Sequence, residues 1–154
     1  MEQKYKLTAD KISRNGVTLH RIKALRSFSD VKAGDFGGFI ENESNLSHKG
    51  NCWVYNSAKV YGRATIVGDS RVTHDAEIWE DSVLQDKSVV SCNAKVHGAS
   101  VVKNGSLVSD YADVQHAVID GGSWIHDHAK VHGGAEMVKI DNCAIGGNAK
   151  IIAK

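Results

Sequence analysis

Aliphatic residues stand at Val54, Val60, Ile66, Val72, Ile78, Leu84, Val90, Val96, Val102, Val108 and Val114, each six positions after the last. An α-helix turning once in about 3.6 residues cannot keep that register, because six residues carry it well past one turn. Two positions earlier stands a small residue, as at Cys52, Ala58, Ser70, Ser82, Ala94 and Ser106. In a strand, positions i−2 and i share a face, so the small residue and the aliphatic point inward together. Between them lie Asn56, Gly62, Gly68, Asp69, Asn104, Gly105, Gly121 and Gly122, residues that tolerate the positive φ of tight corners. Three short strands and three corners close one triangular coil of about eighteen residues. Coils stacked about 4.8 Å apart then make a rod of roughly six turns, about 30 Å long.

The expected fold is all-β: a parallel β-helix of about six triangular coils built from hexapeptide repeats. Upstream, Ile40 and Leu46 belong to the series. Downstream, a five-residue step leads to Ile119, Ile125, Val131 and Met137, with Ala135 as the small partner of Met137, and an eight-residue step leads to Ile145 and Ile151. The second eight-residue step, Leu46 to Val54, resembles the one from Met137 to Ile145, since both insert two residues before an Asn-Cys. Both insertions are expected at the same corner, with Cys52 and Cys143 inside the core and too far apart to bridge. The pattern resembles the hexapeptide-repeat left-handed β-helix, and that resemblance alone supplies the handedness. Residues 1–37 are read as a cap and 38–154 as the helix. In "KISRNGVTLHRI" the Asn15-Gly16 pair between alternating runs signals a hairpin that would cover the first coil. The last coil has no such cover in this sequence, and an uncovered coil invites pairing.

Composition narrows the function classes. Lys and Arg total 19 against 18 Asp and Glu, with no block of like charge, so the basic footprint of a nucleic-acid binder is missing. No apolar run approaches a membrane span, and no leader is evident. Three cysteines without a CxxC pair fit a reduced compartment, so a cytoplasmic location in a bacterial host is expected.

With the repeat assigned to scaffold, function falls to the residues left pointing outward. One face stacks Lys59, Glu77, Lys95, Asp113 and Lys130 as a solvated ladder of alternating charge beside Tyr61, Trp79, His97, Gln115 and His132. Of these, Tyr61, Trp79, His97 and His132 form a possible binding strip. The second face carries Val83, Val101 and Val118 in one outward column, with Val67 and Val138 in the next, and the third carries Val89, Leu107 and Trp124. These would merge around a corner into one apolar patch, the mark of an oligomer interface. The histidines of "HDHAKVH" do not converge: His126 points outward and His128 lies at a corner. His97 and His132 are separated along their column by Gln115, too far for one metal ion. No metal, cofactor or catalytic residue is assigned.

The stretch "DVKAGDFGGFIENESNLSHKGNCWVYNSAKVYG", with the preceding "LHRIKALRSF", resembles the first coils of the YdcK-like β-helix proteins of enterobacteria, phages and prophages. The matching positions are Asp30, Val31, Ala33, Gly34, Gly37, Gly38, Asn45, Leu46, Ser47, Gly50, Cys52 and Trp53. The resemblance implies a β-helix without an established catalytic residue. The expected function is a non-catalytic scaffold that self-associates, a trimer ahead of a dimer because related helices often trimerise, and binds a host or phage protein. Two alternatives stand beside it. One is a hexapeptide-repeat enzyme, acyl transfer or zinc-dependent hydration, with its site at a subunit interface; the other is a phage counter-defence protein binding a nucleotide.

Overall fold

The computed structural model describes residues 3–153 and forms a β-solenoid of about six turns. Its first wall is a nine-stranded sheet. It begins with β1 (Tyr5–Arg14), β2 (Val17–Ala24) and β3 (Phe36–Ile40) and continues through Lys59–Val60, Glu77–Ile78, Lys95–His97, Asp113–Gln115, Lys130–His132 and Lys150–Ile152. The second wall has five strands, Thr65–Ile66, Val83–Leu84, Val101–Val102, Ala117–Asp120 and Val138–Asp141. The third has six, Trp53–Val54, Arg71–Val72, Val89–Val90, Leu107–Val108, Trp124–Ile125 and Ala144–Ile145. Among the described residues no helix is long and apolar enough to cross a membrane.

Every coil-to-coil pairing is parallel and in register, so like positions stack. The inward aliphatics Val60, Ile66, Val72, Ile78, Leu84, Val90, Val102, Val108, Val114, Ile119 and Ile125 are all fully buried. Each removes its side chain from water for about 1.5–3 kcal/mol. The small inward partners also bond. Ser82 Oγ accepts the Ser100 N–H at 3.1 Å, and Ser100 Oγ accepts the Ala117 N–H at 3.1 Å. At the next corner Ser88 Oγ accepts from Ser106, Ser106 Oγ from Ser123, and Ser123 Oγ from Cys143. Serine is therefore tolerated in a dry core because each hydroxyl serves a corner amide of the coil above. Ser70 Oγ is the exception, buried with no partner.

Two features near the end of the series differ from the expectation. Val138–Asp141 pairs with Ala117–Asp120 over four residues, Val138 opposite Ala117 and Ile140 opposite Ile119. Ile140, not Met137, is therefore the inward aliphatic; Val138 takes the small inward position and packs against the core, while Ala135 is exposed in the corner loop. Val138 does not belong to the outward patch. This register buries two apolar residues and leaves Lys139 and Asp141 outside, whereas Met137 inward would drive Lys139 in as well. The extra residues accordingly sit between the first and second walls, in a loop that wraps His116: Gly134 O meets His116 Nδ1 at 3.0 Å. They are not at the corner of the Leu46–Val54 insertion, which joins the second wall to the third. Likewise Cys52 is buried but Cys143 is exposed, since among the described residues no further third-wall strand stacks beyond Ala144–Ile145. All three cysteines are free.

The hairpin forms at Asn15-Gly16, with φ of 52° and 78°. It joins the first wall as two antiparallel strands beside β3, which itself runs parallel to Lys59–Val60. Its inward residues Tyr5, Ile22 and Ala24, with Phe28 and Val31 of the following loop, extend the core over the first coil. Phe28 and Tyr5 meet Trp53 edge to face, at 5.2 and 6.2 Å between ring centroids. Lys4 is drawn under this lid, where its ammonium donates to Cys52 O at 2.7 Å and lies 4.9 Å from the Phe28 ring centroid. Burial pulls its pKa down, against the raising effect of Cys52.

Candidate functional site

The hairpin does more than lengthen the wall, because its tip curls across the outer face. Leu19 of β2 packs with Phe39 and Tyr61, and Ile12, Val17 and Trp79 join them in a second apolar cluster. Arg14 grips Glu77 with two hydrogen bonds of 2.7 Å, from Nε and from an Nη, and Asn15 donates to the Tyr61 hydroxyl at 2.9 Å. The face expected to be solvated is therefore covered over its first coils: Tyr61 is 4% and Glu77 5% exposed. Burial raises the Tyr61 phenol pKa, an effect reinforced by the charge of Glu77 and opposed by the Asn15 hydrogen bond and Arg14. Tyr61 thus leaves the strip while the hairpin is in place.

Beyond the hairpin tip the rest of the strip is partly open and its members touch. Tyr61, Trp79 and His97 stack as parallel rings, with centroid spacings of 5.9 and 4.3 Å. His97 presents Nδ1 to Glu80 Oε1 at 3.3 Å and Nε2 to Asp113 Oδ1 at 2.8 Å. His132 Nε2 lies 3.6 Å from the same Asp113 oxygen and has no hydrogen-bond partner, although it is buried. Gln115 was expected to stand between the two imidazoles. Instead Asp113, two residues earlier on that strand, reaches diagonally into the gap, and Gln115 is exposed. Burial pushes the Asp113 carboxyl pKa up, but the His97 hydrogen bond and the charges of His97, His132 and Lys95 outweigh it. The net position is below the ordinary carboxylate range. An imidazole fixed by carboxylates on both nitrogens, beside an indole face, is an arrangement that can hold or relay a proton.

The second and third walls carry no hairpin. Val83, Val101 and Val118 stand opposite one another on three consecutive coils, as do Val89, Leu107 and Trp124. All are partly exposed, Trp124 most at 43%. Trp124 stacks on His126 at 3.9 Å and donates from its indole N–H to Ser109 Oγ at 3.0 Å. Val67 flanks the band on the second wall, in the column continued by Gln85 and Lys103.

Asp110, His126 and Asp127 bring three potential metal-binding atoms within 4.8 Å of one another. Both carboxylates already serve the corners. Asp110 Oδ2 accepts the Asp127 N–H and Asp127 Oδ2 accepts the Gly147 N–H, each at 2.9 Å. The second of these bonds is the main reason the Asp127 carboxyl lies below its usual pKa. His128 lies apart, stacked on Tyr111 at 5.0 Å. Sequence spacing missed the roles of Glu80, Asp113 and Arg14, because those contacts run diagonally between coils or from the hairpin and not along a column.

No protein-family model matches the chain. Over 44 residues the chain is 43% identical to an uncharacterized acetyltransferase, YdcK, of Escherichia coli strain K12. That stretch is 29% of this chain and 14% of the relative's length. The partial match and the stacked coils together fit a β-helix of the hexapeptide-repeat type.

Proposed function

We propose that the chain is a non-catalytic β-helical scaffold that self-associates through the Val83–Val101–Val118 and Val89–Leu107–Trp124 columns, with Val67 at the margin. In this reading a trimer is favoured over a dimer, and the remaining surface serves a host or phage protein partner. The observation that carries it is the alignment of six apolar side chains on two uncovered walls across three coils. Such side chains lose their remaining water contact only against another surface. Light scattering after size exclusion at micromolar concentration tests it. The native chain should give an oligomeric mass, and a Val101→Asp, Leu107→Asp double variant a monomeric one. A monomeric native chain refutes the reading.

A second reading is acyl transfer. It is supported by the 44-residue similarity to a protein named as an acetyltransferase and by the His97–Asp113–His132 group, in which an imidazole held by a carboxylate suits a general base. Acetyl-donor turnover that falls at least a hundredfold in both His97→Ala and His132→Ala would favour it over the scaffold. Turnover indistinguishable from a blank would exclude it for the donors used.

A further inference from the structure

At the N-terminal end of the third wall a cavity of about 400 Å³ is lined by Ser29, Asn51, Asp69, Arg71, Lys87 and Val89. The repeat places these groups. Asn51, Asp69 and Lys87 each precede the small inward residue of successive coils, Cys52, Ser70 and Ser88, so they form one corner column. Arg71 and Val89 stand opposite each other on adjacent strands of the wall beside it. Ser29 comes from the loop that seats Phe28 on Trp53, and closes the notch from the side.

Four donor side chains therefore line one concavity: the Ser29 hydroxyl, the Asn51 carboxamide, the Arg71 guanidinium and the Lys87 ammonium. Among the described residues none of the four donates to a protein acceptor, and neither cation has an ion-pair partner. The Arg71 guanidinium lies 5.9 Å from the Tyr55 ring centroid. The cavity's one carboxylate, Asp69, is partly engaged through Oδ1 by the Asn51 N–H. Lys103, by contrast, is paired with Asp120. With Asp69 the cavity carries two cations and one carboxylate, and a tetrahedral phosphate has enough acceptor oxygens to meet the guanidinium fork and the ammonium together, which a planar carboxylate does not.

We infer that this notch binds a small phosphomonoester. Arg71 and Lys87 take the phosphate, and Ser29 and Asn51 donate to its free oxygens. Asp69 accepts from hydroxyls on the ligand's body, and Val89 lies under its carbon skeleton. The volume suits a ligand of sugar-phosphate size. All six lining residues come from one chain. Val89 is shared with the self-association columns, so the test reads Arg71 and Lys87, which lie outside those columns.

Amide-detected NMR titration of the full chain at low salt tests it with four probes: ribose 5-phosphate, inorganic phosphate, acetate and ribose. Ribose 5-phosphate should shift the amides of Ser29, Asn51, Arg71 and Lys87 and bind more tightly than inorganic phosphate, with acetate and ribose far weaker. Arg71→Gln and Lys87→Gln should each weaken ribose 5-phosphate at least fivefold, while Lys103→Gln, on a corner with its own carboxylate, should leave it unchanged. Acetate binding as well as phosphate, or affinity unaltered in both cavity variants, overturns the site. Ribose 5-phosphate no tighter than inorganic phosphate overturns the ligand class.

Discussion

Replacing Arg14 by alanine isolates what holds the hairpin against the first wall. The guanidinium makes two charge-assisted bonds of 2.7 Å to a Glu77 side chain that is only 7% exposed. Stripping the partner from a fully buried carboxylate costs about 3–5 kcal/mol. Two features lower that figure here. Arg14 itself is 41% exposed, so water already screens part of the attraction, and Lys59 and Lys95 flank Glu77 in its ladder. We expect a loss of about 2 kcal/mol, near the contribution of hydrogen bonding to one charged group. Urea unfolding of Arg14→Ala, Glu77→Gln and the double variant gives the coupling directly, and it should be about 1 kcal/mol or more. Hydrogen exchange should locate the loss in residues 12–19, with the Tyr61 ring newly accessible. A cost for Arg14→Ala below about 0.5 kcal/mol, or one undiminished in the Glu77→Gln background, would refute the clasp.

Two further substitutions probe groups that look alike in sequence but differ in bonding. Ser100→Ala removes the acceptor of the buried Ala117 N–H and should cost about 1–3 kcal/mol, whereas Ser70→Ala deletes an unpartnered hydroxyl and should be neutral or stabilising in the same urea assay. Asp113 gives a pH signature. Its folded pKa lies below the ordinary carboxylate value of about 3.9, so the stability it adds is present above that value and is lost as pH falls through the depressed one. Asp113→Asn should therefore lower stability at pH 6 and flatten the acid limb below about pH 5, as followed by thermal unfolding at stepped pH.

The fold was legible because its inward pattern is periodic: one aliphatic and one small residue per strand determine which face is core, and Val101, Leu107 and Trp124 fell into their columns accordingly. The corner loop after Val131 was not legible. Its register is decided by a four-residue strand match in which Val138 and Ile140 outcompete Met137, a comparison of two burials and not a spacing. Nor did the periodicity carry the position of the hairpin tip. Asn15-Gly16 predicts a turn, but not that Leu19 would pack on Phe39 and Tyr61 and so lay the tip on the wall, with Arg14 on Glu77, 63 residues away in the chain. The histidine group hid for a related reason: columns show which residues are neighbours straight up the stack, while Asp113 acts on His97 and His132 along the diagonal.

Stacking in register also has a kinetic consequence. Each coil touches only the coils before and after it, so most long-range contacts close loops of a single repeat, and ordering can spread by adding one coil to a finished neighbour. The hairpin and first coil hold the aromatic cluster of Tyr5, Phe28 and Trp53 and pair within the chain's first sixty residues. They are the natural template on which later coils are laid down. Folding is then expected to run from that lid along the rod. An injury to the lid should slow the appearance of every coil, while an equal injury at Ile145 should slow only the last.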